Sequence, residues 1–324
     1  MNARQKTALV LAGGGSYGAV QVGMLRALCA HGVRPDLVAG SSVGAINGAF
    51  YAAEPSASGI ERLAALWRGL KRRDIFPIAL TRVFGALAGA DAIFAPHGLR
   101  KLLAAHLPYS LLEDSSIPMH VVATDQLTGA PVRVSAGAAV EAVLASCAIP
   151  AIYPPVLISG RQLIDGAVAC NTPIRIAVEL GAVRVILLPT AFACPRTARP
   201  RGVFANAFHA MDLVVMQQLA QDTELYSQRA QIITVPPICP MAVSPYDFSN
   251  AGKLIDMAAR STSRWLEGRP LGASGPPVAA RQGVVVTAGV HLSKASSQAC
   301  GPCGGLPSCL EEGLGDSGAP TVSA

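Results

Sequence analysis

The feature that most restricts the fold is a glycine-rich turn, used twice, each time between a short apolar run and a stretch with helical spacing. Thr7–Leu11 leads into Gly13-Gly14-Gly15-Ser16-Tyr17-Gly18 and then a helix-spaced segment, 17–31, closed by Gly32. Residues 37–39 lead into Gly40-Ser41-Ser42-Val43-Gly44 and a segment of small residues, 45–53. A short apolar run without alternation is what a strand buried on both faces requires. The alternation continues. Helices are expected at 58–73 (opened by a capping box of Ser58 with Glu61), 99–106, 138–147, Val203–Ser227 and Ala251–Leu266, and strands at 119–124, 132–134, 162–164 and Arg184–Leu188. Strands alternating with helices predict an α/β fold: a mainly parallel central sheet with helices on both faces.

Composition bounds the rest. Of 324 residues 51% are apolar and 14% charged, against about 25% charged in ordinary soluble domains, which excludes a disordered chain overall. A mean hydropathy of +0.41 raises the question of a membrane span. The best apolar windows, 7–25 and 142–160, are broken by Gly13-Gly14-Gly15, by Pro150 and by Pro154-Pro155, so no transmembrane helix is expected. The run 8–12 is too short for the apolar core of a secretory signal, which leads to the expectation of a cytoplasmic chain, with peripheral contact at a membrane surface compatible with it. The net charge of +6 is spread without a basic stripe interleaved with aromatics, so no nucleic-acid partner is expected.

Beyond residue 270 the character changes. Residues 271–324 hold 22 Gly, Pro or Ser among 54 and no aromatic residue. Such a segment buries too little apolar surface to offset its ordering entropy, and the expected organisation is one domain over 1–270 and a disordered tail over 271–324. Cys300, Cys303 and Cys309 with His291 are an incomplete match to a zinc knuckle, and no metal or cofactor is assigned.

Three groups of residues carry chemistry. Gly40-x-Ser42-x-Gly44, between strand and helix, suits a sharp turn that lifts a serine hydroxyl at the carboxyl edge of a sheet beside a helix N-terminus; Ser42 is either a nucleophile or a helix cap. Gly13-x-Gly15-x-x-Gly18 is either a dinucleotide-binding turn or a set of backbone N–H groups aimed at a developing oxyanion. The dinucleotide reading, which would make the chain an oxidoreductase, needs an acidic residue at the carboxyl end of the second strand, whereas Asp36 precedes that strand. Asp165 ends an apolar strand and is followed by Gly166-Ala167; it is either a base in a small-residue turn or a plain surface turn. None of the six histidines sits in a comparable context at a strand end.

Together, Gly13 to Gly18, Gly40-Ser41-Ser42-Val43-Gly44 and Asp165-Gly166-Ala167, in that order, resemble the patatin-like phospholipases. The resemblance spans residues 6–268 and includes Ala145-Ser146-Cys147-Ala148-Ile149-Pro150 and the closing helix ending in Arg264-Trp265-Leu266. It implies a lipid acyl hydrolase with a Ser42–Asp165 dyad and no histidine. Oxyanion donors would come from the loop Gly13, Gly14 and Gly15, with Gly18, Gly40, Gly44 and Gly166 shaping the turns. The implied substrate is a phospholipid or related lipid ester, and an acyltransferase sharing the same acyl-enzyme stays open. Where many members carry Arg or Lys after the glycines, this chain has Tyr17. Arg68 and Lys71-Arg72-Arg73, followed by the apolar residues 75–80 and 83–90, form either a lid or interfacial patch, or a solvated helix end.

Overall fold

The computed structural model describes residues 5–75, 92–190, 203–238, 247–267 and 271. In chain order the strands are β1 (Thr7–Leu11), β2 (Leu37–Ser41), β3 (Met119–Asp125), β4 (Pro131–Val134), β5 (Val156–Ile158), β6 (Arg161–Asp165), β7 (Arg184–Leu188) and β8 (Gln231–Thr234). The helices are α1 (Gly18–Ala30), α2 (Val43–Ala53), α3 (Ala57–Gly69), α4 (Arg72–Ile75), α5 (His97–His106), α6 (Ala139–Ser146), α7 (Ala167–Cys170), α8 (Ile174–Glu179), α9 (Val203–Ser227) and α10 (Ala251–Leu266). The expected tail, with Cys300, Cys303, Cys309 and His291, lies outside the described residues, as do 76–91 of the expected interfacial segment.

All eight strands join one sheet in the order β5-β6-β3-β2-β1-β7-β8, with β4 paired to β3. The pairs β1–β2, β2–β3, β1–β7 and β7–β8 are parallel, whereas β4 and β6 pair antiparallel to β3 and β5 antiparallel to β6. The middle of the sheet explains the unbroken apolar runs. Leu9 and Leu11 of β1, Val38 of β2 and Ile186 and Leu188 of β7 face the core shared with α1, α2, α3, α6 and α10. Ala8, Val10, Leu37, Ala39, Val185 and Leu187 face the opposite layer of α8 and α9. Each strand therefore buries both faces, and alternation in the sequence vanishes.

The antiparallel end is what brings the site together. β2 pairs with β3 up to Ser41↔Val122, while β4 occupies the other edge of β3 over Val121–Thr124. β6 pairs with the next residues of β3, Ala123↔Asp165 and Thr124↔Ile164. Since β4 already holds the far edge there, β6 takes over the edge that β2 vacates. The end of one strand therefore meets the end of another, 123 residues later in the chain.

The helix expected over 58–73 divides into two. α3 ends at Gly69, Leu70 is extended (φ −71°, ψ 130°), and α4 follows. Its cap is Ser56 rather than Ser58: Ser56 Oγ accepts from the Gly59 amide at 3.1 Å, while Ser58 donates to Glu54 and Glu61 pairs with Arg26. Among the described residues no helix is long and apolar enough to cross a membrane.

Candidate active site

Ser42 stands where β2 ends and α2 begins. Its backbone lies in the left-handed region (φ 53°, ψ −125°), which a residue with a Cβ occupies only where its surroundings fix it. The surroundings are tight. A Cβ on Gly44 would meet the backbone of Leu11 and Ala12, and one on Gly40 would meet the backbone of Gly44 and Ala45, so only glycine allows this turn to close. The Ser42 carbonyl accepts from the amides of Ala45 (2.9 Å) and Ile46 (3.3 Å), and its own amide donates to Ser146 Oγ at 2.8 Å. Ser42 occupies the cap position of α2, yet its hydroxyl makes no capping bond. It donates instead to Asp165 Oδ2 at 2.8 Å.

Asp165 is buried, and its other oxygen accepts from the Ala167 amide at 2.8 Å. Its amide donates to Ala148 O (2.9 Å) and the following Gly166 amide to Ser146 O (3.2 Å). Burial pushes the carboxyl up from 3.8 to about 6, and the hydrogen bonds from Ala167 and Ser42 only partly oppose it. The C-terminal end of α6 thus holds both partners. Ser146 Oγ accepts from the Ser42 amide and donates to Val122 O at 2.6 Å, while the 146–148 backbone fixes the start of the Asp165 turn. In the sequence Ser146 stands only within the stretch Ala145–Pro150, with no pattern that marks a role of its own.

The first glycine loop runs alongside. A Cβ on Gly13 would come within 3.1 Å of Ser42 Cβ. Gly13 is pinned from both sides, its amide donating to Asn171 O at 3.1 Å and its carbonyl accepting from Thr190 Oγ1 at 2.7 Å. The Gly13 N–H is thus engaged by Asn171 O. Among the described residues the Gly14 and Gly15 amides have no acceptor, and Gly15 (φ 57°) lines the same cleft as Ser42. Gly18 starts α1, and Gly166 lies so close to Val122 O and Ser41 Oγ that a side chain has no room.

The cleft is walled by Val43, Ile46, Leu66, Trp67, Leu70, Ile75, Leu99, Leu102, Ile149, Tyr153 and Phe248. It is apolar apart from its floor at Ser42. Cys147 also borders it, with its thiol held far above the ordinary range by burial and by the Asp165 charge, so it stays protonated. No histidine among the described residues bonds to Ser42 or Asp165: His31 ends α1 on Ala27 O, and His120 contacts Ser135. Asp36 accepts from the Thr7 amide (2.7 Å) at the amino end of the sheet, away from the glycine turns, which removes the ribose contact that a dinucleotide site needs. Arg68 of the expected basic patch is paired with Asp256 at 3.1 Å.

Patatin-like phospholipase domain-containing protein 7 of Rattus norvegicus is 33% identical over 184 residues, which is 56% of this chain and 13% of that protein. Patatin-like phospholipase domain-containing protein 6 of Homo sapiens gives the same identity and shares. The chain therefore spans a small part of the length of these relatives. Among solved structures, VipD from Legionella pneumophila covers 82% of this chain and 67% of its own at 16% identity and a TM-score of 0.45. A model of the patatin-like phospholipase family matches residues 9–178, more than half of the sequence, so the chain belongs to that family.

Proposed function

We propose that this protein is a serine lipid acyl hydrolase that cleaves carboxylic esters of phospholipids or related lipids. The observation that carries the reading is the 2.8 Å hydrogen bond from Ser42 Oγ to Asp165 at the floor of an apolar cleft. A serine hydroxyl is a weak nucleophile until a base receives its proton. Ser42 Oγ attacks the ester carbonyl carbon as its proton passes to Asp165 Oδ2. The carbonyl oxygen becomes an oxyanion facing the Gly14 and Gly15 amides and the positive end of α2. The tetrahedral intermediate collapses with cleavage of the ester C–O bond, and Asp165 returns the proton to the leaving alcohol. Water, deprotonated by Asp165 in turn, attacks the acyl carbon, and the bond to Ser42 Oγ breaks as Asp165 returns the proton to Oγ, releasing the fatty acid and restoring the serine.

The buried setting suits Asp165 to this task. A free carboxyl is too weak a base for efficient proton transfer at neutral pH, and a value near 6 brings it close to the operating range. The apolar walls fit an acyl chain, and they exclude water from the developing charge, which strengthens the oxyanion bonds. The family membership and the names of the relatives support the same substrate class. Ser42→Ala and Asp165→Asn are each expected to lower kcat for a short-chain ester by about a thousandfold or more. Unimpaired turnover by either variant refutes the dyad.

A further inference from the structure

Under the glycine loop lies a chain of side-chain hydrogen bonds that the proposed chemistry does not use. Gln21 of α1, Asn47 of α2 and Trp67 of α3 are all buried. Gln21 Nε2 donates to Ala12 O at 2.8 Å and to Leu188 O at 3.0 Å. Its Oε1 accepts from Asn47 Nδ2 at 3.0 Å, and the same Asn47 nitrogen donates to Gly18 O at 2.9 Å. Asn47 Oδ1 then accepts from Trp67 Nε1 at 2.9 Å.

The chemistry of the partners fixes the direction of every bond. The Ala12, Leu188 and Gly18 carbonyls can only accept, and an indole N–H can only donate. Both amide side chains are therefore locked in one orientation, each polar atom is satisfied, and no alternative flip keeps the network. Its ends are informative. Ala12 and Gly18 bracket the loop that carries Gly14 and Gly15, and Leu188 O is also the acceptor of the Ala12 amide (3.1 Å). At the other end Trp67 is a wall of the cleft, where it stacks on Phe248 with ring centroids 6.1 Å apart. Gly18 admits the indole to this position, since a Cβ there would lie 2.8 Å from Trp67 Cζ2.

We infer that Gln21, Asn47 and Trp67 form a positioning brace that ties the acyl-cleft wall to the oxyanion loop, so that the indole N–H governs turnover and not only the shape of the cleft. The inference rests on Ser42 being the nucleophile of an ester hydrolase, and that premise is tested separately by comparing the wild type with Ser42→Ala. If the two hydrolyse 4-nitrophenyl acetate alike, the functional reading fails, whatever the brace does.

Given an active wild type, Trp67→Phe keeps an aromatic ring in the wall and removes only the donor to Asn47, while Asn47→Leu removes the link itself. Both, and the double variant, are measured as full-length protein on 4-nitrophenyl acetate, whose acyl group makes little demand on the wall. A brace predicts that Trp67→Phe lowers kcat by about tenfold while KM moves by less than about twofold, because misplaced donors slow the chemical step. It also predicts that the double variant is no slower than Asn47→Leu alone, because both substitutions cut one connection. A Trp67→Phe variant with unchanged kcat, or with only a raised KM, overturns the inference, as do losses that multiply in the double variant. Should Asn47→Leu fail to fold, Trp67→Phe decides the matter on its own.

Discussion

As the proposed base Asp165 has to be ionised, yet its burial favours the neutral acid. With the carboxyl raised to about 6, the proposed base is fully available only above that value. Hydrolysis is accordingly expected to fall as pH drops through about 6 and to be flat above about 7, which a kcat/KM profile on a neutral ester reads directly. The same shift has a stability consequence. A carboxyl whose folded-state value is raised penalises the fold when it is charged, so the penalty is absent below about 4 and grows as pH rises through about 6. A shift from 3.8 to about 6 corresponds to about 3 kcal/mol at most. Asp165→Asn, with an amide able to meet both Ser42 and Ala167, is expected to melt at a higher temperature than the wild type at pH 8, and the gain should shrink towards pH 4. A variant that is inactive and less stable at pH 8 would contradict the assigned environment.

At the scale of elements, the site depends on where α6 stops. Ser146 joins the strained Ser42 amide to Val122 and, through its carbonyl, to the Asp165 turn. Ser146→Ala leaves a buried donor at Ser42 without a partner, which costs about 1–3 kcal/mol of stability and loosens the nucleophile. A fall in kcat of about tenfold or more is expected, with recovery in Ser146→Thr, which keeps the hydroxyl; equal kcat in all three proteins would leave Ser146 a packing residue. This role was not legible in the sequence, because a small serine late in an apolar helix carries no periodic or capping signal. The strand-to-helix turns were legible, since glycines and apolar runs act locally. What escaped were contacts set by tertiary pairing. β5 and β8 are short edge strands, half exposed, whose apolar residues (Val156–Ile158, and Ile232 with Ile233) are too few to mark a strand on their own. The break at Leu70 escaped for another reason: helical spacing continues through it, and Leu70 turns out to line the cleft. The hydrogen bond from the Gly13 amide to Asn171 O joins residues 158 apart in the chain, and no local pattern signals it.

For the whole molecule, one topological device accounts for the site: an antiparallel strand inherits the edge of β3 that a parallel strand has left. It lets a parallel sheet, which delivers the serine at its carboxyl edge, receive a carboxylate from a strand running the other way. The Leu271 carbonyl accepts from Arg184 at 3.0 Å and its side chain packs on the core; we propose that residues 1–270 form the catalytic domain. The most direct test of the account is covalent: the full-length protein is treated with a fluorophosphonate ester, digested, and the modified peptide sequenced by mass spectrometry. A single adduct on Ser42 is expected, formed far more slowly in Asp165→Asn. A protein that hydrolyses esters while Ser42 stays unmodified, with the adduct on another side chain, would contradict it.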